Sequence, residues 1–139
     1  MKNIPFFMEF AEEDLAETAQ MSSWLKFSPD SYILKEGDLG SSFWIILKGS
    51  VRVEKALGVG KPAVVLTVIP QGECFGEMSI ISGNPRTASI TANEEVFLYK
   101  IDGALLEKAR DALQLKFYKK FSQILVARLS RSSERLVKK

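Results

Sequence analysis

The chain has 139 residues, 46% hydrophobic and 26% charged, which suits one globular domain that can bury a core without staples. Its formal net charge of +2 gives no argument from charge alone for a nucleic-acid or membrane partner, and the basic stretch 116–139 reads first as a solvated helix face. One cysteine and no histidine exclude an internal disulfide, a zinc site and a Cys-His or Ser-His mechanism.

The opening Met1-Lys2-Asn3-Ile4-Pro5 lacks the apolar run of a signal peptide. The longest apolar runs, such as 63–69, fall far short of the roughly 20 residues that span a bilayer. These features predict a cytoplasmic protein without a membrane segment. One domain is expected over 1–139, in three zones. Residues 6–26 read as helical, because Phe10, Leu15, Ala19 and Leu25 recur at helix-compatible spacings, and Ser28-Pro29-Asp30-Ser31 then breaks the pattern.

Residues 30–101 read as short strands punctuated by glycine turns. The segments 32–34, 43–47, 51–53, 64–69, 88–92 and 96–101 are β-branched or aromatic, and this spacing predicts a β-sandwich or barrel. Gly58-Val59-Gly60-Lys61 lacks the spacing of a phosphate loop and reads as a hairpin turn. Cys74 lies in a strand-like stretch, as a buried small hydrophobe. Trp24 and Trp44 are expected as core or half-buried packing rather than as a stacking platform for bases.

Residues 103–137 read as two helices. Leu105, Leu106 and Leu113 are assigned to a short first one. In the longer second helix, Tyr118, Phe121, Leu125, Leu129, Ser132 and Leu136 fall on one face at about 100° per residue, as core or as a dimer seam.

The chemistry is concentrated in residues 75–88, Phe-Gly-Glu-Met-Ser-Ile-Ile-Ser-Gly-Asn-Pro-Arg-Thr-Ala. Gly76 lets the backbone approach a ligand and opens one turn of helix, whose free N–H groups favour an anion. Arg86, after the rigid Asn84-Pro85 turn, offers a two-pronged fork to a phosphate. Glu77 is an acceptor for hydroxyls such as a ribose 2′-OH at the other end of the same pocket.

This stretch resembles the phosphate-binding cassette of the cyclic-nucleotide-binding domain family, to which the catabolite activator protein and kinase regulatory subunits belong. Upstream, Glu36-Gly37-Asp38, Phe43-Trp44-Ile45-Ile46 and Lys48-Gly49-Ser50-Val51-Arg52-Val53 are similar to a second signature of that family. The resemblance runs from about residue 7 to residue 136. It implies a mainly β fold: an eight-stranded, jelly-roll-like β-roll with an N-terminal helical element and two C-terminal helices.

It further implies that Glu77 takes the ribose 2′-OH and Arg86 the cyclic phosphate of cAMP or cGMP. Backbone N–H groups around Met78 and Thr87 complete the cradle, with Gly76 and Ala88 inside the same motif. No metal or other cofactor is expected. Kinase domains that favour cAMP resemble Pro-Arg-Ala-Ala here, so the Thr87 hydroxyl is expected to admit cGMP as well. Residues 128–136 are similar to the dimer helix of the catabolite activator protein. By position, Ser132 and Ser133 would read the base edge, in a homodimer through 115–137. The expected function is a regulatory sensor, not an enzyme, acting on an effector outside the chain, with its last helix as a lid. The alternative is an assembly module with an unused pocket. A cupin-like enzyme would need clustered histidines, and a DNA-binding regulator a helix-turn-helix after the long helix, where the sequence carries none.

Overall fold

The computed structural model describes residues 4–38, 40–77 and 86–137, with side chains to residue 130. A 3₁₀ turn at Pro5–Phe7 leads into helix α1, Glu12–Gln20. Its first turn holds Glu12, Glu13 and Asp14, the charges a helix N-terminus favours, and the Asp14 carboxylate accepts the Ala11 N–H at 2.9 Å. Asp14 is nevertheless buried, and it also accepts from Arg110, at 2.9 Å, and from Lys116. Burial alone would raise this carboxyl; the hydrogen bonds from Lys116, Ala11 and Arg110 outweigh it and hold the group below its ordinary value.

The helical zone expected to reach residue 26 ends at Gln20. Strand β1, Ser22–Phe27, follows at once and pairs antiparallel with β8, Val96–Asp102, so Trp24 and Leu25 lie on a strand. Leu25 continued the helical spacing by coincidence, while the β8 edge supplied the ladder that decided the structure. Trp24 is 65% exposed against the Tyr99 ring, contrary to the packing expected of it, whereas Trp44 is 4% exposed.

The other strands are β2 (Tyr32–Leu34), β3 (Ser42–Lys48), β4 (Val51–Lys55), β5 (Val64–Ile69), β6 (Cys74–Phe75) and β7 (Ser89–Ala92). They form two antiparallel four-stranded sheets, β1-β8-β3-β6 and β2-β7-β4-β5. This is the expected mainly β roll of eight strands. β3 is apolar along most of its length because both of its faces are buried. Phe43 and Ile45 face the helices, with Tyr99, Ile101 and Cys74; Trp44 and Ile46 face the roll interior, with Leu98, Phe75 and Val51.

Two helices close the first face: α2 (Gly103–Leu106), capped by the Asp102 carboxylate, and α3 (Asp111–Val137). Leu113 belongs to α3, not to the first helix. The residues of α3 that enter the core are Leu113, Phe117 and Phe121, with Ile124 half-buried behind them. The stripe expected from the sequence is therefore rotated. Of its members Phe121 is core, Tyr118 and Leu125 are half-buried, and Leu129 is 68% exposed. Among the described residues no helix is long and apolar enough to cross a membrane.

Candidate functional site

Arg86 stands just before β7 and is held by its backbone before its side chain does anything. Its N–H donates to Asp38 O at 2.9 Å, and its C=O accepts the Gly37 N–H at 2.8 Å. The Asp38 carboxylate in turn accepts the Lys35 N–H, and Gly37 turns the chain at φ +88°. Glu36-Gly37-Asp38 is thus the clamp that fixes the arginine, a positioning role beyond the turn geometry expected of it.

The guanidinium enters the roll and is 7% exposed. Nη1 donates to Gly76 O at 3.0 Å and Nη2 to Ser42 O at 2.9 Å, while Nε is buried without an acceptor among the described residues. Among the described residues no carboxylate forms an ion pair with it. Burial lowers its pKa below the ordinary arginine value, partly offset by the more distant charges of Glu77 and Asp38. A buried guanidinium held by two carbonyls, with its Nε–H unpaired among the described residues, has the electrostatics that an anion site requires.

Gly76 makes this approach possible. It sits at φ +91°, and a Cβ there would lie 2.8 Å from Ser42 O, 3.1 Å from Arg86 Nη1 and 3.2 Å from Trp44 Cδ1. Glu77 follows and is 1% exposed. Its carboxylate accepts from Arg128 Nη1, and Arg128 Nη2 reaches Cys74 O at 2.7 Å. A residue of the last helix therefore holds the carboxylate. In the sequence Arg128 is only the first residue of the stretch similar to a dimer helix, with no role assigned at Glu77. Its signal was present, for Leu113, Phe117, Phe121, Ile124 and Arg128 are spaced by four, four, three and four residues, so Arg128 continues the inward stripe.

Arg86 is in contact with Gly76, and Glu77 is the next residue in the chain. Thr87 is exposed and Ala88 half-buried, and the Thr87 C=O accepts Lys55 Nζ at 2.6 Å. Met78 and the Gly83-Asn84-Pro85 turn lie outside the described residues. So do the side chains of Ser132 and Ser133, whose backbone belongs to α3. Cys74 is buried, as expected, and burial pushes its thiol well above the usual thiol range. A cavity of about 290 Å³ lies on the other side of β6, between Phe6, Ile124 and Arg128, and does not include Arg86.

Residues 24–112 match the family model of the cyclic nucleotide-binding domain, and the chain belongs to that family. It is 33% identical over 93 residues to cGMP-dependent protein kinase, isozyme 1, of Drosophila melanogaster, a match that covers 66% of the chain and 12% of the kinase. It is 31% identical over 93 residues to the cAMP-dependent protein kinase regulatory subunit of Dictyostelium discoideum, covering 67% of the chain and 28% of that protein. The chain thus spans less than a third of these relatives. Among solved structures it resembles a cyclic nucleotide-binding domain from Methylobacillus flagellatus, with TM-score 0.83, 27% identity, and 98% and 78% of the two chains covered. The regulatory domain of Toxoplasma gondii PKA with cAMP shares the fold, with TM-score 0.71, 24% identity, and 88% and 47% covered.

Proposed function

We propose that this chain is a non-catalytic sensor that binds a 3′,5′-cyclic nucleotide, cAMP or cGMP, in the β-roll without a metal. The observation that carries the reading is Arg86: a buried cation with no carboxylate partner among the described residues and an unused N–H, beside a Glu77 just as deeply buried. The cyclic phosphate takes the fork of Arg86 and the ribose 2′-OH hydrogen-bonds Glu77. Relatives named for cGMP and for cAMP support the ligand class and leave both bases open.

The lid works through Arg128. A hydroxyl arriving at Glu77 changes what that carboxylate offers the guanidinium, and Arg128 is carried by α3. Ligand shifts the helix only by its differential affinity for the two lid positions. Val126 and Leu129 are exposed beside half-buried Leu125, an unpartnered stripe that supports pairing of α3 with a second copy, where Ser132 and Ser133 would meet the base. Light scattering at micromolar concentration is expected to give a dimer; a monomer there ends the pairing proposal.

Calorimetry with cAMP and cGMP tests the main reading. Wild type is expected to bind, and Arg86→Ala to lose about 2–5 kcal/mol of binding free energy, because a charge-assisted contact to a desolvated phosphate is removed. Equal affinity in the two proteins overturns the assignment of Arg86. Binding of neither nucleotide by wild type leaves an assembly module with an unused pocket.

A further inference from the structure

Trp44 lies in the roll interior, stacked on Phe75 with the rings 5.9 Å apart and 6° from parallel, and Lys100 Nζ stands 5.2 Å from its ring centre. The ring is thereby fixed. Its Nε1–H is buried and, among the described residues, has no acceptor. Leaving such a donor unpaired in the interior costs about 1–3 kcal/mol, and a phenylalanine would fill the same place without that cost.

The position of the orphan donor is informative. Cδ1, the atom bonded to Nε1, lies 3.2 Å from the point where a Gly76 Cβ would be, and Arg86 Nη1 lies 3.1 Å from that same point. The indole Cδ1 and the guanidinium therefore both pack against Gly76, where no side chain comes between them. Arg86 brings a second buried donor that has no partner among the described residues, its Nε–H. Two such donors on side chains that flank one glycine, one of them on a cation, suit an anionic acceptor.

We propose that the Trp44 indole N–H is a further donor to the anionic phosphate group held by Arg86, and that Trp44 is a binding residue of this site. The inference rests on the cyclic-nucleotide reading above and adds a residue to it. It also accounts for a tryptophan at a position that needs only a flat apolar ring: the nitrogen is unsatisfied without ligand and satisfied with it.

Trp44→Phe keeps the ring and deletes the N–H. The ligand-free variant is expected to be as stable as wild type or more so, since an unpaired buried donor is removed, while cAMP and cGMP bind roughly five- to fiftyfold more weakly. A residue that merely packs would behave oppositely, with stability falling and affinity holding. In a Trp24→Phe background, which removes the exposed tryptophan, the single indole N–H resonance of ¹⁵N-labelled protein is expected to move downfield and gain exchange protection when cAMP is added. Unchanged affinity in Trp44→Phe, or an indole resonance indifferent to saturating cAMP, overturns the proposal. Wild type that binds neither nucleotide fails at the earlier reading, and its calorimetry shows this before any variant is made.

Discussion

The two faces of the β1-β8-β3-β6 sheet are built from alternate residues of the same strands, and they treat burial in opposite ways. On the helix face the Phe43 ring lies 5.0 Å from Phe6 and 4.8 Å from Phe121, in an interior of rings and aliphatic chains. On the roll face the apolar layer of Trp44, Ile46, Phe75 and Leu98 ends at Gly76, Glu77 and Arg86, where charges are buried and two donors lack acceptors among the described residues. The first face is satisfied without a ligand. On the reading proposed above, the second is completed by one. Stability and recognition are thus assigned to opposite sides of one sheet, with α3 touching both through Phe117 and Phe121 on one side and Arg128 on the other.

The largest effect is expected on the closed face. Phe117 is fully buried, with its ring 5.2 Å from Phe10 and 5.6 Å from Phe6. Phe117→Ala leaves a cavity among rings that cannot collapse around it, and is expected to cost about 3–5 kcal/mol in chemical denaturation. If the two faces divide the work as described, the folded fraction loses less than about tenfold in nucleotide affinity, because the substitution and the phosphate site share no contact. A proportionate loss of affinity would show that the faces are not separable.

Gly76→Ala tests the place where they cannot be separated. The new methyl group meets the Ser42 carbonyl at 2.8 Å on a backbone at φ +91°, so the backbone must shift. The strain is expected to cost about 1–3 kcal/mol of stability. Because Ser42 O and Gly76 O are the two acceptors that aim Arg86, nucleotide affinity should fall in the same variant. Stability lost with full affinity retained would mean that the aim of Arg86 does not depend on this turn.

Legibility followed the same division. The strands 64–69 and 96–101 were readable because their β-branched and aromatic content is a property of the chain alone, and β5 spans the segment expected. β1 was not, since Ser22–Phe27 takes its conformation from a partner about 75 residues away in β8. Local spacing there fitted a helix equally well. At the site, Glu77 and Arg86 stood out as residue types within a motif. Arg128 did not, because its role depends on which side of α3 faces Cys74 and Glu77, and the seam read from the sequence was rotated away from the buried face. Trp44 was expected to pack, and it does; that its nitrogen is left over is a property of three-dimensional neighbours.

The smallest effect is expected at Thr87, which is exposed between Arg86 and β7. Its backbone is fixed independently of its side chain, since Lys55 Nζ donates to the Thr87 carbonyl at 2.6 Å and pairs with Glu36 at 3.3 Å. Thr87→Ala therefore removes a hydroxyl and leaves the cradle in place. If that hydroxyl accepts from or donates to the guanine edge, its net value is about 0.5–1.5 kcal/mol, or a roughly two- to twelvefold fall in affinity for cGMP relative to cAMP. The wild type is accordingly expected to discriminate between the two by less than about a hundredfold. Competition calorimetry on both proteins reads the ratio directly, and stability should not change, because the side chain buries nothing. An unchanged cGMP/cAMP ratio removes Thr87 from selection and moves base recognition to α3, where Ser132 and Ser133 become the residues to substitute.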